Sequence, residues 1–162
     1  MLSFVSAECQ VLAALRLLGS AFPGNMLADM RAIEYTRTFT DDEWTALQHG
    51  ATARSMEDKW DIVHRDDDEY HVFFARSWSQ RVVFILPLDP NGSHTCTQVF
   101  VRNDVADEIA LNVNPPVDVA YWFNLVMEHV LFQRPVVEPF VFGSQRSMIL
   151  WSWIGQRATV TA

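Results

Sequence analysis

The sequence predicts an α+β protein in which an antiparallel meander of four to six strands packs against two long helices, one N-terminal and one near residues 118–133. Three observations predict it. From Met56 to Leu88 (MEDKWDIVHRDDDEYHVFFARSWSQRVVFILPL) β-branched and aromatic residues dominate and the breaks are polar, as strands joined by short turns require. Thr95–Arg102 alternates apolar and polar residues, adding a further strand. Leu2–Leu18 and Asp118–Gln133 carry apolar residues at three- and four-residue spacing, the period of an amphipathic helix.

A chain of 162 residues reads as one domain, with an N-terminal helical extension over 1–30, a sheet-and-helix core over 32–135 and a C-terminal addition over 136–162. Hydrophobic residues at 49% and charged residues at 20% describe a globular chain with enough apolar surface to build a core. A formal charge of −8 opposes non-specific attraction to nucleic acid or anionic lipid, so neither is expected as a partner. Basic charge is almost all arginine, Lys59 being the one lysine. Cys9 and Cys96 have no metal-ligand spacing and read as buried thiols in a reducing compartment. The apolar start lacks a positive leading region and is interrupted by Glu8 and Arg16, which predicts neither a signal peptide nor a membrane span, and a cytoplasmic location.

In chain order, Phe4, Val11, Leu12, Leu15 and Leu18 line one face of the first helix, and Gly19 is placed to end it. Pro23-Gly24 marks a turn, and Ala32–Thr38 alternates as a strand. Thr40 and Glu43 then form a capping box, with Asp41 and Asp42 in the favourable first turn and Phe39 and Trp44 placed as a hydrophobic staple. Gly50 stops this short helix. In the next strand Trp60, Ile62 and His64 share one face, with Asp61, Val63 and Arg65 on the other; Asp66-Asp67-Asp68 reads as the hairpin tip. The return strand sets Tyr70, Val72, Phe74 and Arg76 opposite His71, Phe73 and Ala75, and Ser77–Gln80 turns the chain again. Arg81–Leu88 is apolar on both faces, as a central strand is, and Asp89–Gly92 is a turn. Asn103–Asn114 is polar and mixed, and Pro115-Pro116 punctuates it. Val119, Trp122, Phe123, Val126, Val130 and Leu131 give the second long helix a wide apolar face that contains Glu128 and His129 and ends at Arg134-Pro135. The tail adds a strand, or a short helix around Ser147–Ile154.

The run Phe39-Thr-Asp-Asp-Glu-Trp44, then Met56-Glu-Asp-Lys-Trp60, then Arg76-Ser-Trp78, resembles a family of small bacterial proteins of unassigned activity. In that family an acidic helix start with a tryptophan precedes a MEDKW strand opening and an HRSWTG-like strand end. Val101-Arg-Asn-Asp104 and the helix near Tyr121 are similar to the part that follows. The likeness spans the middle of the chain and leaves the first helix and the tail outside. Ala75 stands where the resemblance implies a histidine, and Ser79-Gln80 replaces Thr-Gly. The resemblance implies no reaction.

The candidate site follows from the hairpin register, which sets residues near 58–60 opposite residues near 74–76. Glu57 or Asp58 then comes within reach of Arg76, and Lys59, Trp60, Ser77 and Trp78 gather at the same end. As a binding site, this corner offers aromatic planes for stacking, an arginine fork for a carboxylate or phosphate, and acids for hydroxyls. As architecture, it is an arginine paired with an acid and two tryptophans closing the core, the more economical reading because desolvated charges are normally paired. Asp66, Asp67 and Asp68 are a solvated turn or, more sharply, an acidic projection for a basic surface on a partner protein. His64 and His71 could face each other across the hairpin and, with Asp61 or Asp66, hold a metal, but no ligand spacing supports this and no metal or cofactor is expected. Ser77 lacks nucleophile-elbow glycines, and no phosphate-binding loop is present.

Two functions fit. The first is a non-enzymatic interaction module, inhibitor-like or immunity-like, docking through the acidic tip and the aromatic and arginine sheet edge, since tryptophan and arginine make the strongest interface anchors. The alternative is a small-ligand or nucleotide-handling domain, hydrolytic at its most specific, built on Arg76, Trp60, Trp78 and Glu57 or Asp58.

Overall fold

A strand that is apolar on both faces must be hydrogen-bonded on both edges and covered on both sides. Val82–Pro87 meets that demand at the middle of the sheet. The computed structural model describes residues 29–55, 58–65, 68–79, 81–88, 93–112, 119–135 and 152. Its elements are β1 (Met30–Thr38), α1 (Asp41–His49), β2 (Trp60–Arg65), β3 (Asp68–Arg76), β4 (Val82–Pro87), β5 (Thr95–Arg102), α2 (Asn103–Asn112) and α3 (Val119–Val126), which continues as a π-helical turn, Met127–Leu131. The strands form one antiparallel sheet in the order β1-β5-β4-β3-β2, so β2 to β5 are a meander and β1 crosses back to the β5 side.

The helices lie against one face. Phe123 of α3 sits in contact with Tyr35, Phe74 and Phe84, with ring centroids 5.0, 5.0 and 4.9 Å away, and Trp60 extends the cluster through Phe84. All but Tyr35 are essentially inaccessible, and Tyr35 is buried. Such edge-on and tilted contacts suit the ring quadrupoles and fix the angle at which the helix meets the sheet. On the opposite face Val63, Phe73, Ala75, Val82 and Ile85 form a second buried cluster, so the central strands are covered on both sides.

The expected α+β class and antiparallel sheet are as read from sequence; the long helix expected near 118–133 is not. The stretch near 118–133 is eight residues of α-helix followed by a five-residue π turn, with Phe132 N–H donating to the Met127 carbonyl at 3.0 Å. The wider turn buries Met127, His129, Val130 and Leu131 in near succession, a pattern that an α-helix of period 3.6 cannot set on one face. A third helix, α2, occupies the segment read as polar and mixed; its Ala106 and Ile109 are buried, a stripe too narrow to register as a period. Asp68 opens β3, pairing with Arg65, and is not part of the turn. Register also separates the two histidines. His64 pairs with Val72, so His71, one position away, belongs to the other face. The N-terminal helix, Cys9, the turns at Pro23-Gly24, Asp89–Gly92 and Pro115-Pro116, and the strand or helix of the tail lie outside the described residues. No described helix is long and apolar enough to cross a membrane.

Candidate functional site

The hairpin register is the one that the sequence implies: Trp60 pairs with Arg76 and Ile62 with Phe74. Asp58, Lys59, Trp60, Arg76, Ser77 and Trp78 therefore meet at one corner; Glu57, Asp66 and Asp67 lie outside the described residues. What the corner does with these groups is largely architectural. β2 is the outer strand, and the linker after α1 folds along it. Ala51 and Ile62 exchange both backbone hydrogen bonds, at 2.9 and 2.7 Å. Gly50 permits this approach. It has φ +68°, and a Cβ there would stand 2.1 Å from the Ile62 carbonyl oxygen. The two acids then satisfy the linker's donors. Asp61 Oδ1 accepts from Ala53 N–H at 2.8 Å and Asp58 Oδ2 from Arg54 N–H at 2.9 Å. Both side chains are buried, as carboxylates can be when backbone donors face them.

Trp60 is buried too, and the Arg76 guanidinium lies over its ring at 5.1 Å while Nη2 donates to the Ser152 carbonyl at 3.0 Å. Burial lowers the Arg76 pKa, and Glu108 offsets part of that. Trp78 differs from all of these. It is 69% exposed, the large hydrophobic residue that stands out to solvent among those described. The turn beneath it is held: Ser77 N–H donates to Lys59 O at 3.0 Å, Ser77 Oγ to Asp58 O at 2.6 Å, and Arg76 N–H to Arg81 O at 3.0 Å. The Lys59 ammonium covers one face of the indole at 5.7 Å. Sequence placed both tryptophans in one corner; the structure assigns one to the core and one to the surface.

The acidic end is not part of this corner. Arg65 pairs with Asp68 at the far end of a nine-residue strand from Arg76, which at ~3.3 Å per residue is about 26 Å away.

A second cluster sits diagonally across the sheet, and sequence reasoning did not assemble it. A bulge in β1 between Glu34 and Arg37 sets Tyr35 and Thr36 against Thr97 of β5 and aims Arg37 at α1 and the π turn. Arg37 Nη2 contacts Glu43 Oε2 at 2.5 Å and Glu128 Oε1 at 2.7 Å, and Nη1 donates to Asn124 Oδ1 at 2.8 Å. Arg134 Nη1 reaches the same two acids, at 2.7 Å to Glu43 and 2.9 Å to Glu128 Oε2. Glu43 Oε1 still caps Thr40 N–H at 3.0 Å, so the capping box read from sequence is present and enlarged. Tyr35 donates to Asn124 Oδ1 at 2.6 Å, and the Arg37 guanidinium lies 5.3 Å from both the Phe39 and Phe132 rings.

The electrostatics are those of a balanced lock. Burial pushes the Glu43 carboxyl up, but the Thr40 N–H and the two guanidinium groups outweigh it and hold the group below the ordinary carboxylate range. Glu128 is held low in the same way. Burial works against the Arg37 charge, yet its bonds to Tyr35 and Glu128 leave its pKa raised. Burial drives the Tyr35 hydroxyl up to about 12. Ionised carboxylates already gripped by guanidinium forks are poor general acids or bases at neutral pH. Only local signals could have pointed here: the capping-box glutamate, and Glu128-His129 inside an apolar helix face.

Fold and site thus define an α+β protein with an open antiparallel sheet, an ionic lock at one corner and an aromatic turn at the other. Compared with models of protein families, with curated proteins and with solved structures, the chain matches none.

Proposed function

We propose that this chain is a non-enzymatic protein-interaction module, inhibitor-like or immunity-like, whose anchor is Trp78. The single observation that carries the reading is an exposed tryptophan on a turn pinned by backbone and Ser77 hydrogen bonds. Presenting a large aromatic ring from a fixed turn removes the ordering cost that weakens loop-borne anchors. Asp58, one of the two carboxylates that a ligand-handling site would use, accepts a bond from the linker backbone, and Trp60 is in the core, which favours the interaction reading over the alternative. The acidic end of the hairpin, about 26 Å from Arg76 by strand rise, is a second contact for a basic patch on the partner. That span matches the width of a standard interface burying ~800 Å² on each side.

The test is quantitative capture of partner proteins by the tagged chain, run beside a thermal-shift screen with nucleotides and sugar phosphates. Under this reading Trp78→Ala lowers partner affinity by about 30-fold or more at unchanged melting temperature. Substitution of Asp66, Asp67 and Asp68 by Asn gives a smaller loss that shrinks further in salt. A melting temperature raised by a nucleotide or sugar phosphate, with capture indifferent to Trp78, would establish the ligand-handling alternative.

A further inference from the structure

We propose that Arg37, Glu43, Glu128 and Arg134 form an ionic latch through which the start of α1 and the π turn open together while the sheet stays closed. Glu43 is the shared node. One carboxylate oxygen caps the Thr40 N–H, and the other takes both Arg37 and Arg134. Neutralising or withdrawing it releases the helix start and the far side of the cluster in one event. Glu128 has the complementary position, giving Oε1 to Arg37 and Oε2 to Arg134. Two acids face two guanidinium groups, so loss of either acid's charge leaves a surplus positive charge beside a half-buried arginine.

The groups facing the latch are Tyr35 and Arg37 from β1, Asp41 and Glu43 from α1, His94 before β5, Glu128 and His129 from the π turn, and Arg134 beyond it. Asp41 and His94 pair with each other at 3.3 Å, with His94 stacked on Trp44. His129 Nδ1 meets the Arg134 carbonyl at 2.5 Å, and Arg134 N–H donates to the Glu128 carbonyl at 2.9 Å, so the backbone of the exit moves with the turn. Gln133 is left-handed, at φ +55°, a conformation that favours release once the side-chain bonds go. The sheet is held by different means. Phe73, Phe74, Phe84 and Ile85 are completely buried in the two central strands, and no charge is among them. Arg134 is 46% exposed, which makes it the arm that salt weakens first. Opening uncovers Phe39 and Phe132, the two rings that hold Arg37 between them.

Hydrogen exchange on the full chain at neutral pH tests this, comparing wild type with Glu128→Gln. The expected result is that amides at Glu43–Ala46 and at Leu131–Arg134 exchange about tenfold faster, by matching factors, while those of Phe73–Phe74 and Phe84–Ile85 change less than about twofold. Acceleration of one segment without the other would overturn the proposal, and so would equal acceleration of all four. The wild-type chain moved from low salt to about 1 M NaCl gives the same readout without relying on a variant that folds, with the same two segments responding together.

Discussion

At the β1 corner, Glu43 and Glu128 are each held by two guanidinium groups. At the β2 edge, Asp58 and Asp61 are held by N–H groups of the neighbouring linker. Both arrangements answer the same demand, that a carboxylate taken out of water be given donors. They differ in reach. The backbone donors tie residues within eight positions of one another, closing an exposed strand edge that would otherwise invite pairing with another chain. The guanidinium groups tie residues up to 91 positions apart, so the first corner fastens one element to another and the second fastens a strand to its own linker. The difference teaches where function has room. Both sets of acids are engaged, and among the described residues of the second corner the large apolar group left exposed is the indole of Trp78.

Breaking the β2 edge has the largest expected effect. Gly50→Ala places a Cβ against the Ile62 carbonyl at a positive φ, and we expect a loss of about 3 kcal/mol or more in a urea titration. Asp61→Ala leaves the half-buried Ala53 N–H without this acceptor, and about 2 kcal/mol should go, with faster exchange along Ala51–Ala53. At the lock, Glu43→Ala removes a cap and two ionic contacts, one to a half-exposed arginine. It should cost about 2 kcal/mol, less than the sum of its contacts taken separately.

The pH dependence sharpens the contrast. Glu43 and Glu128 have folded pKa values below their ordinary ones, so their contribution is complete above the ordinary carboxylate range and is lost as pH falls through the depressed values. Glu128→Gln should flatten that acid limb of the melting-temperature profile. Tyr35 has the opposite sign. Its folded pKa is raised from 10.0 to about 12, so its contribution is complete below 10.0 and is lost as pH rises through about 12. Tyr35→Phe should shrink the alkaline limb, leaving the share of the Cys96 thiol, which burial pushes up to about 11, and the acid limb unchanged.

How much of this could be read from the chain follows from the range of each signal. The capping box of Thr40 and Glu43 and the alternation of Trp60–Arg65 against Asp68–Arg76 are local patterns, and the structure has both. Burial of one tryptophan and exposure of the other depended on strand position: Trp60 opens β2 and faces the helices, whereas Trp78 falls in the turn after β3. The lock joins Arg37, Glu43, Glu128 and Arg134 across the length of the fold, and no spacing rule connects them. The shortness of α3 was hidden for a related reason. Its apolar face continues unbroken into the π turn, so the hydrophobic pattern alone cannot mark where the hydrogen-bond spacing widens.

Trp78→Ala has the smallest expected effect on stability and the greatest diagnostic weight. Equilibrium urea denaturation of this variant beside Glu43→Ala tests the division between a fastened corner and an offered one most directly. The account predicts an unfolding free energy for Trp78→Ala within about 0.5 kcal/mol of wild type, against the loss at Glu43. A Trp78→Ala chain destabilised as much as Glu43→Ala would contradict it, because the indole would then be part of what holds the molecule together.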